Sequence, residues 1–415
     1  MPRKTQIRIQ DIKQKITHCV LYILCYTFCV IFLPSWFMKK TGNPFITSGY
    51  EGPQYFCDRQ KETSLLLSNI RNNINTTLFA IRRLGKTGLV RHVFEQLARN
   101  KKMTCIYVDI LATSSLKEFT SQLATAIYKR FPEKKGIGQK FFDIIRLLRP
   151  VISYDPLTGN PELSLDLGQP KQYEKTIQQL FSFLDNQSIK VIIAIDEFQQ
   201  ILSYPEKNTE ALLRTYMQPL KNTRFIFCGS NQKMMNEIFN SAKRPFYGSC
   251  SNIHLDLISA AEYSRFIQTQ FNRHKRKINE ESIDFILHFT QRHTYYTQVL
   301  CNQVFATDSR NISIETVHAA CAAILAQNEN TYYQYKNLLT EAQWTLLKAI
   351  AKEEKLKKPH ALNFIRKHQL GTPSLIARGI ESLLAKEMIY YEAGVPEPYY
   401  SVYDKFLMRW LQKTF

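Results

Sequence analysis

Two polar segments that are well separated in the chain contain residue types that bind phosphate and a divalent cation. The first segment contains Gly85, Lys86 and Thr87. The second segment contains Asp196 and Glu197. Loop amides and a lysine can bind phosphate oxygens, a threonine hydroxyl can ligate Mg²⁺, and an acidic pair can hold that metal and direct a water molecule. These residues therefore predict a site for ATP and Mg²⁺, provided that the fold brings the two segments together.

The first segment lies between a predicted strand and a predicted helix. Residues 76–81 are β-prone and apolar, and residues 89–98 have helical periodicity. A loop in that context directs its amides and a helix N-terminus at an anion, as in a P-loop. The P-loop pattern places glycine at position 80, where this sequence has Ala80, so we expect the entry to the loop to differ in shape. We assign nucleotide binding to Arg82, Arg83, Leu84, Gly85, Lys86, Thr87 and Gly88.

The acidic pair follows a second apolar stretch. Residues 191–195 are all apolar, which is typical of a parallel strand buried on both faces. At the end of such a strand we expect Asp196 to hold Mg²⁺ together with Thr87. We expect Glu197 to orient or deprotonate the attacking water. The simpler alternative is that Asp196 only caps a turn.

A third apolar stretch, residues 224–228, leads into Ser230 and Asn231. A polar side chain there could sense the terminal phosphate, so both residues are catalytic candidates. The alternative is that one of them caps the helix that begins at Gln232. With a further strand predicted over residues 104–110, the pattern indicates an α/β fold with a parallel sheet flanked by helices.

The composition limits the class of protein. The 415 residues include no repeat at a fixed period, which excludes solenoid and fibrous folds. The formal net charge of +20 favours contact with nucleic acid, nucleotide or acidic lipid, although basic runs are more often solvated surface. The nine cysteines include no CxxC pair and no zinc-type spacing, which predicts reduced thiols.

The N-terminus carries an apolar segment. Residues 16–33 are close to the length that crosses a bilayer and follow a basic stretch. The basic residues would keep the N-terminus in the cytoplasm, so an anchor here would export the remainder of the chain to a place where ATP is scarce. The other interpretation is that residues 1–37 are an upstream extension and that the working protein begins at Met38. We expect a cytoplasmic protein, with membrane tethering only if residues 1–37 are retained.

Five motifs in order carry a family resemblance. They are FCDR at 56–59, RRLGKTGLV at 82–90, IDEFQ at 195–199, CGSN at 228–231 and KRPFYGS at 243–249. In these motifs the chain resembles the archaeal-type ATPase family, a STAND-class group of P-loop NTPases close to AAA+ proteins. The resemblance covers residues 40–415.

The resemblance implies that the acidic strand lies near the centre of the sheet and that ATP binding and hydrolysis act as a switch. It places Asp58 and Arg59 near the adenine. Ser249 stands where family members often have an arginine, which leaves Arg244 as the arginine-finger candidate, with a surface ion pair as the alternative. In the lid motif, His293 could approach phosphate, with a core or surface histidine as the alternative.

Helical patterns follow the ATPase core. Lid helices are predicted over residues 260–271, 280–289, 295–306 and 314–338. Helices over 341–351, 360–367 and 373–386, then strands over 388–392 and 399–403, give a winged-helix order. The predicted divisions are an N-terminal extension (1–38), an ATPase core (39–257), a helical lid (258–337) and a winged helix (338–415).

The third helix of the winged-helix domain is the element that would enter a DNA groove. It offers Arg378 and Lys386 against Glu381 and Glu387, a composition that favours contact with protein. We therefore predict an unidentified protein partner. A DNA-binding regulator whose affinity ATP modulates is the alternative function, and an oligomer is compatible with either.

Overall fold

A computed structural model describes residues 42–132, 141, 150–154, 161–165, 170–307, 309–393 and 396–415. The predicted extension over residues 1–38 lies outside this part of the chain. The described residues from Phe45 to Phe415 belong to one compact unit. Within the described ranges, no helix is long and apolar enough to cross a bilayer.

The helices and strands are numbered in chain order. The strands are β1 (Thr76–Phe79), β2 (Met103–Asp109), β3 (Pro150–Tyr154), β4 (Pro161–Leu165), β5 (Lys190–Asp196), β6 (Thr223–Gly229), β7 (Ser251–His254), β8 (Lys277–Ile278), β9 (Asn311–Ile312), β10 (Ile389–Glu392) and β11 (Tyr399–Val402). The helices of the first half are α1 (Gln60–Arg71), α2 (Lys86–Ala98), α3 (Leu116–Arg130), α4 (Pro170–Asp185), α5 (Thr209–Met217) and α6 (Gln232–Asn240). Those of the second half are α7 (Ala260–Arg273), α8 (Glu280–Phe289), α9 (Thr294–Phe305), α10 (Ile314–Asn337), α11 (Glu341–Glu353), α12 (Leu362–Lys367), α13 (Pro373–Ala385) and α14 (Lys405–Thr414).

The central sheet has five parallel strands in the order β2-β5-β6-β1-β7. The predicted α/β fold class is therefore confirmed. The acidic strand β5 is interior, as expected, although β6 occupies the middle. Because β6 lies between β1 and β5, the end of β6 falls between the loop after β1 and the acidic pair after β5.

Strand β5 is buried on both faces of the sheet. Val191, Ile193 and Ile195 pack with α3 and α4 on one face, and Ile192 and Ala194 pack with α1 and α2 on the other. Burying each large aliphatic side chain contributes about 1.5–3 kcal/mol relative to leaving it exposed. The unbroken apolar run thus fixes β5 inside the sheet, with its polar end at the carboxyl edge.

The lid and the winged helix share one hydrophobic core. Residues from α7 to α10 and residues from α11 to α14 belong to a single cluster of buried side chains. Trp410 of α14 lies 5.5 Å from the ring of Tyr332 in α10 and 6.4 Å from Trp344 in α11. The predicted boundary between lid and winged helix stays a prediction, and the packing across it is continuous.

Some elements differ from the sequence prediction. Helix α2 begins at Lys86, three residues earlier than the periodicity indicated, and α12 begins at Leu362. The short parallel pair β8–β9 and the helix α14 were not predicted. Helix α14 had a readable signal, because the Asp404 carboxylate accepts the amides of Phe406 and Leu407 as an N-cap.

Candidate functional site

The loop between β1 and α2 turns sharply just before the helix. Arg83 and Gly85 have positive φ values of 61° and 104°. Ala80 is not among the positive-φ residues, so the conformation at this position does not require glycine. Gly85 provides no side-chain cap to α2, and the first amides of a helix have no partner within it. The loop thus presents unpaired donors at a helix N-terminus, as a phosphate site requires.

Three side chains hold this loop from behind. The carbonyl of Leu84 accepts hydrogen bonds from the Arg59 guanidinium (3.2 Å) and from the Thr294 hydroxyl (3.0 Å). The Nε2 of His293 lies 3.2 Å from the carbonyl of Arg82. His293 is thus a buried support of the loop backbone, which matches the core-histidine alternative. Arg59 and the first turn of α9 fix the orientation of the loop.

Lys86 is a buried cation with few partners. Its side chain is 7% exposed, and Nζ lies 4.0 Å from Oε1 of Glu197. No described residue accepts a hydrogen bond from this ammonium group. A buried ammonium that lacks acceptors is costly, so the site favours an additional anion at Lys86.

The two polar segments meet at Asp196. Its Oδ2 accepts hydrogen bonds from the Thr87 hydroxyl (2.9 Å) and from the Tyr107 hydroxyl (2.5 Å). Its Oδ1 accepts the backbone amide of Glu197 (3.0 Å). Tyr107 was not predicted as a site residue. Its position follows from the pairing of β2 with β5, and the Arg91 guanidinium stacks over its ring at 4.1 Å.

Glu197 is held in a left-handed conformation with φ of 54°. Its Oε2 accepts hydrogen bonds from Gln199 Nε2 (2.6 Å), the Ser230 hydroxyl (2.7 Å) and the Ser230 amide (3.2 Å). Burial would raise the pKa of Glu197, but the Lys86 ammonium and these hydrogen bonds outweigh it and hold the pKa below its usual value. The carboxylate is therefore ionised at neutral pH.

The structure separates the two candidates that follow β6. Ser230 contacts Glu197, whereas the Asn231 side chain accepts the amide of Met234 as the N-cap of α6. Gly229 is required beside them, because a Cβ there would lie 2.4 Å from Gln199 Oε1. Gln199 is a site residue that the sequence interpretation missed. Its hydrogen bond to Glu197 depends on the close approach of its side chain to Gly229.

Arg244 has partners of its own. Its guanidinium pairs with Glu210 at 2.9 Å and with Glu237. No contact among the described residues joins Arg244 to the loop between β1 and α2, which we call the phosphate loop, or to Asp196. The contacts of Arg244 match the alternative that it forms ion pairs. Its role as an arginine finger stays a prediction.

Asp58 and Arg59 adopt consecutive left-handed conformations at the start of α1, with φ of 54° and 67°. The Arg59 guanidinium donates to the carbonyl of Asp256 (2.6 Å) and to that of Leu84. Arg59 therefore lies against the loop between β1 and α2. The predicted place of Asp58 and Arg59 near the adenine stays a prediction.

The lid and the winged helix also contact the front of the loop. Arg82 forms an ion pair with Glu387 at 2.6 Å, and its backbone amide donates to the Tyr403 hydroxyl at 3.3 Å. The Arg83 guanidinium lies over the Tyr295 ring, 4.5 Å from its centroid. The exposed arginines of the loop thus connect the nucleotide-binding segment to both C-terminal parts of the chain.

Comparisons with protein families and solved structures concern the family and the fold of the chain. Residues 56–291 match the model of a family described as an ATPase domain predominantly from Archaea. Residues 330–413 match a probable winged helix domain. No curated protein matches the chain significantly.

Solved structures show the same fold. A Walker-type ATPase of Pyrococcus abyssi superposes with a TM-score of 0.61 at 17% identity, covering 89% of this chain and 99% of that one. The ORC2 protein of Aeropyrum pernix, in ADPNP-ADP complexes, superposes with a TM-score of 0.54 at 12% identity, covering 89% and 96%. At such identities the likeness establishes the architecture.

The buried histidine behind the loop predicts a specific loss of stability in acid. Burial, and then the nearby Lys405 ammonium, lower the pKa of His293 from 6.5 to about 3. Its neutral form therefore contributes stability that is complete above pH 6.5 and is lost as the pH falls toward 3. Between pH 7 and pH 5, the wild-type unfolding free energy should fall by about 2 kcal/mol more than that of His293→Gln. Urea denaturation at both pH values measures this difference.

The exposed His318 provides the control for this experiment. His318→Gln should retain the wild-type pH dependence. If the unfolding free energy fell equally in wild type and His293→Gln between pH 7 and pH 5, the result would contradict a neutral, buried imidazole behind the loop.

Proposed function

The chain belongs to the family of ATPase domains found predominantly in Archaea, and from this premise we propose that it uses Mg²⁺-dependent ATP hydrolysis as a conformational switch. The main support for this proposal is the 2.9 Å hydrogen bond between the hydroxyl of Thr87 and the carboxylate of Asp196. This bond joins the phosphate loop to the acidic pair, so one ligand can contact both.

Thr87 and Asp196 are the residues that would hold Mg²⁺. Their hydroxyl and carboxylate oxygens are the hard ligands that this ion prefers. When bound, Mg²⁺ neutralises charge on the phosphate oxygens of ATP. The Tyr107 hydroxyl donates to the same oxygen of Asp196 as Thr87 does, which restricts the orientation of the carboxylate.

Lys86 and the amides of the loop would bind the β- and γ-phosphates. The unmatched ammonium of Lys86 and the unpaired first turn of α2 support this role. Glu197 would orient the attacking water and accept its proton. Gln199 and Ser230 bond to Oε2 of this carboxylate, which leaves Oε1 for the water. Ser230 thus couples the end of β6 to the reacting group.

The switch would act through the contacts between the loop and the winged helix. Tyr403 bonds to the amide of Arg82, and Glu387 bonds to its side chain. Both contacts lie on the segment that phosphate would engage, so binding of ATP alters the surface on which the winged helix rests. Because the exposed ion pair contributes only about 0–1 kcal/mol, nucleotide binding can readily shift this equilibrium.

A role in DNA binding stays a prediction. The recognition helix α13 contains one arginine, Arg378, and no lysine. The exposed Leu375 on the same helix favours contact with protein.

Replacing the buried lysine should abolish nucleotide binding. In Lys86→Ala the loop loses the ammonium group that would contact the phosphates, so the affinity for ATP should fall at least about 100-fold. Isothermal titration with ATP and Mg²⁺ measures the effect. Lys221→Ala, an exposed lysine far from the loop in sequence, should bind as the wild type does. Unchanged affinity in Lys86→Ala would refute the site.

Replacing the acidic residue next to the metal ligand should separate binding from hydrolysis. Glu197→Gln retains the size of the side chain but cannot accept a proton, so kcat should fall about 100-fold or more while ATP still binds. Phosphate release measures turnover. Glu341→Gln, in an exposed helix turn, is the matched control. Wild-type turnover in Glu197→Gln would remove Glu197 from the reaction.

Breaking the contact of the winged helix should mimic the effect of nucleotide. Glu387→Lys places two positive charges together at Arg82, so β10 and β11 should exchange amide hydrogens faster without ATP. Wild-type protein should reach the same exchange only with ATP and Mg²⁺. Hydrogen–deuterium exchange measures both states, and Glu381→Lys on α13 is the control. A wild-type exchange pattern that ATP leaves unchanged would contradict the switch while leaving hydrolysis intact.

A further inference from the structure

Strand β2 is an edge of the central sheet. Among the described strands it pairs only with β5. In a parallel pair, alternate residues direct both backbone groups to the neighbouring strand. The bonds from Lys190 to the carbonyl of Lys102, and from Ile110 to that of Asp196, show that the even-numbered residues of this segment face β5.

The odd-numbered residues therefore turn their backbone groups away from the sheet. The amides and carbonyls of Cys105 and Tyr107 have no backbone partner in the part of the chain that the structure describes. Proteins usually cover or blunt such an edge, because it can pair with another strand. Seven residues of β2 would span about 23 Å, enough for a short added strand.

A groove runs along this edge between α2 and α3. It consists of two cavities, of about 490 Å³ and about 700 Å³, which share Arg91, Cys105 and Arg130 in their linings. Residues of β2 from Met103 to Asp109 line the two cavities. The walls include Arg91, Phe94 and Glu95 from α2, and Gln122, Lys129 and Arg130 from α3.

The groove is predominantly basic. Arg91, Lys101, Lys129 and Arg130 line it, against the two carboxylates of Glu95 and Asp109. None of these four cations forms an ion pair with a described residue. Glu95 already accepts a hydrogen bond from Tyr50. Lys129 and Arg130 on the wall of α3 thus have no carboxylate partner within the described ranges, and the Arg130 guanidinium donates to the Thr104 hydroxyl.

We propose that the free edge of β2 binds an extended acidic segment of another protein as an added strand. The backbone of the segment would pair with Cys105 and Tyr107. Side chains of a strand alternate between faces, so every second residue would point to the wall of α3. Carboxylates at those positions meet Lys129 and Arg130.

The alternative anionic ligand, single-stranded nucleic acid, fits this groove less well. The free edge of β2 offers donors and acceptors in alternation, which a peptide backbone matches. A phosphate backbone has acceptors only, so the carbonyls of Cys105 and Tyr107 would stay unpaired.

The groove adjoins the polar residues around Asp196. Tyr107 lines the groove and donates its hydroxyl to Asp196. Arg91 lines the groove and stacks on the ring of the same tyrosine. A bound segment would therefore contact Tyr107, which bonds to the Asp196 carboxylate, and Arg91, which stacks on Tyr107.

Fluorescence anisotropy with the full chain and no nucleotide tests the binding separately from ATP hydrolysis. The probe is a fluorescein-labelled nine-residue peptide of alternating glutamate and threonine. It should bind saturably, and the same peptide with every amide N-methylated should bind at least about tenfold more weakly, because it cannot donate to the edge. Equal binding of both peptides, or no binding of the first at millimolar protein, would overturn the proposal.

Two charge reversals on α3 locate the site. Lys129→Glu should weaken binding about three- to tenfold, because an attraction becomes a repulsion. Lys117→Glu makes the same change in net charge on an exposed residue of that helix that does not line the groove, and it should leave binding unchanged. Equal weakening by both variants would show non-specific attraction. Tighter binding of a labelled oligothymidine than of the acidic peptide would assign the groove to nucleic acid; either result overturns the proposal.

Discussion

A positive charge buried at Lys86 is the constraint around which the site is built. An ammonium group taken out of water needs an anionic neighbour, and among the residues that the structure describes only Glu197 supplies one, at 4.0 Å. A bound phosphate would supply further negative charge at this position. The same carboxylate is anchored by Gln199 and Ser230, so the end of β6 becomes part of the electrostatic arrangement. The loop after β1, the acidic pair after β5 and the end of β6 therefore depend on one another.

The phosphate loop is fixed from both sides. Behind it, Arg59, His293 and Thr294 engage backbone carbonyls, which leaves the helix N-terminus facing the site. In front of it, Arg82 meets Glu387 and Tyr403 of the winged helix. The rear contacts are largely buried, whereas the ion pair in front is exposed. This difference makes the front contacts the ones that a ligand can displace at low energetic cost.

Local sequence was sufficient for the parts of the site that belong to one segment. The apolar run before Asp196 and the loop around Lys86 each had a clear pattern, and a parallel sheet brings their ends to one edge. Tyr107 had no such signal, because its bond to Asp196 spans 89 positions and depends on strand order. His293 was ambiguous for the same reason, since its partner Arg82 lies 211 positions away. The helix α14 was different, because its cap at Asp404 was readable and was overlooked.

The continuous core beneath the lid and the winged helix has a consequence for how the protein can be divided. Tyr332, Trp344 and Trp410 come from three helices and pack into one cluster. A fragment that ended after α10 would expose the aromatic face of that helix to water, and an isolated winged helix would expose the complementary face. The C-terminal module therefore cannot be exchanged between proteins as an independent cassette.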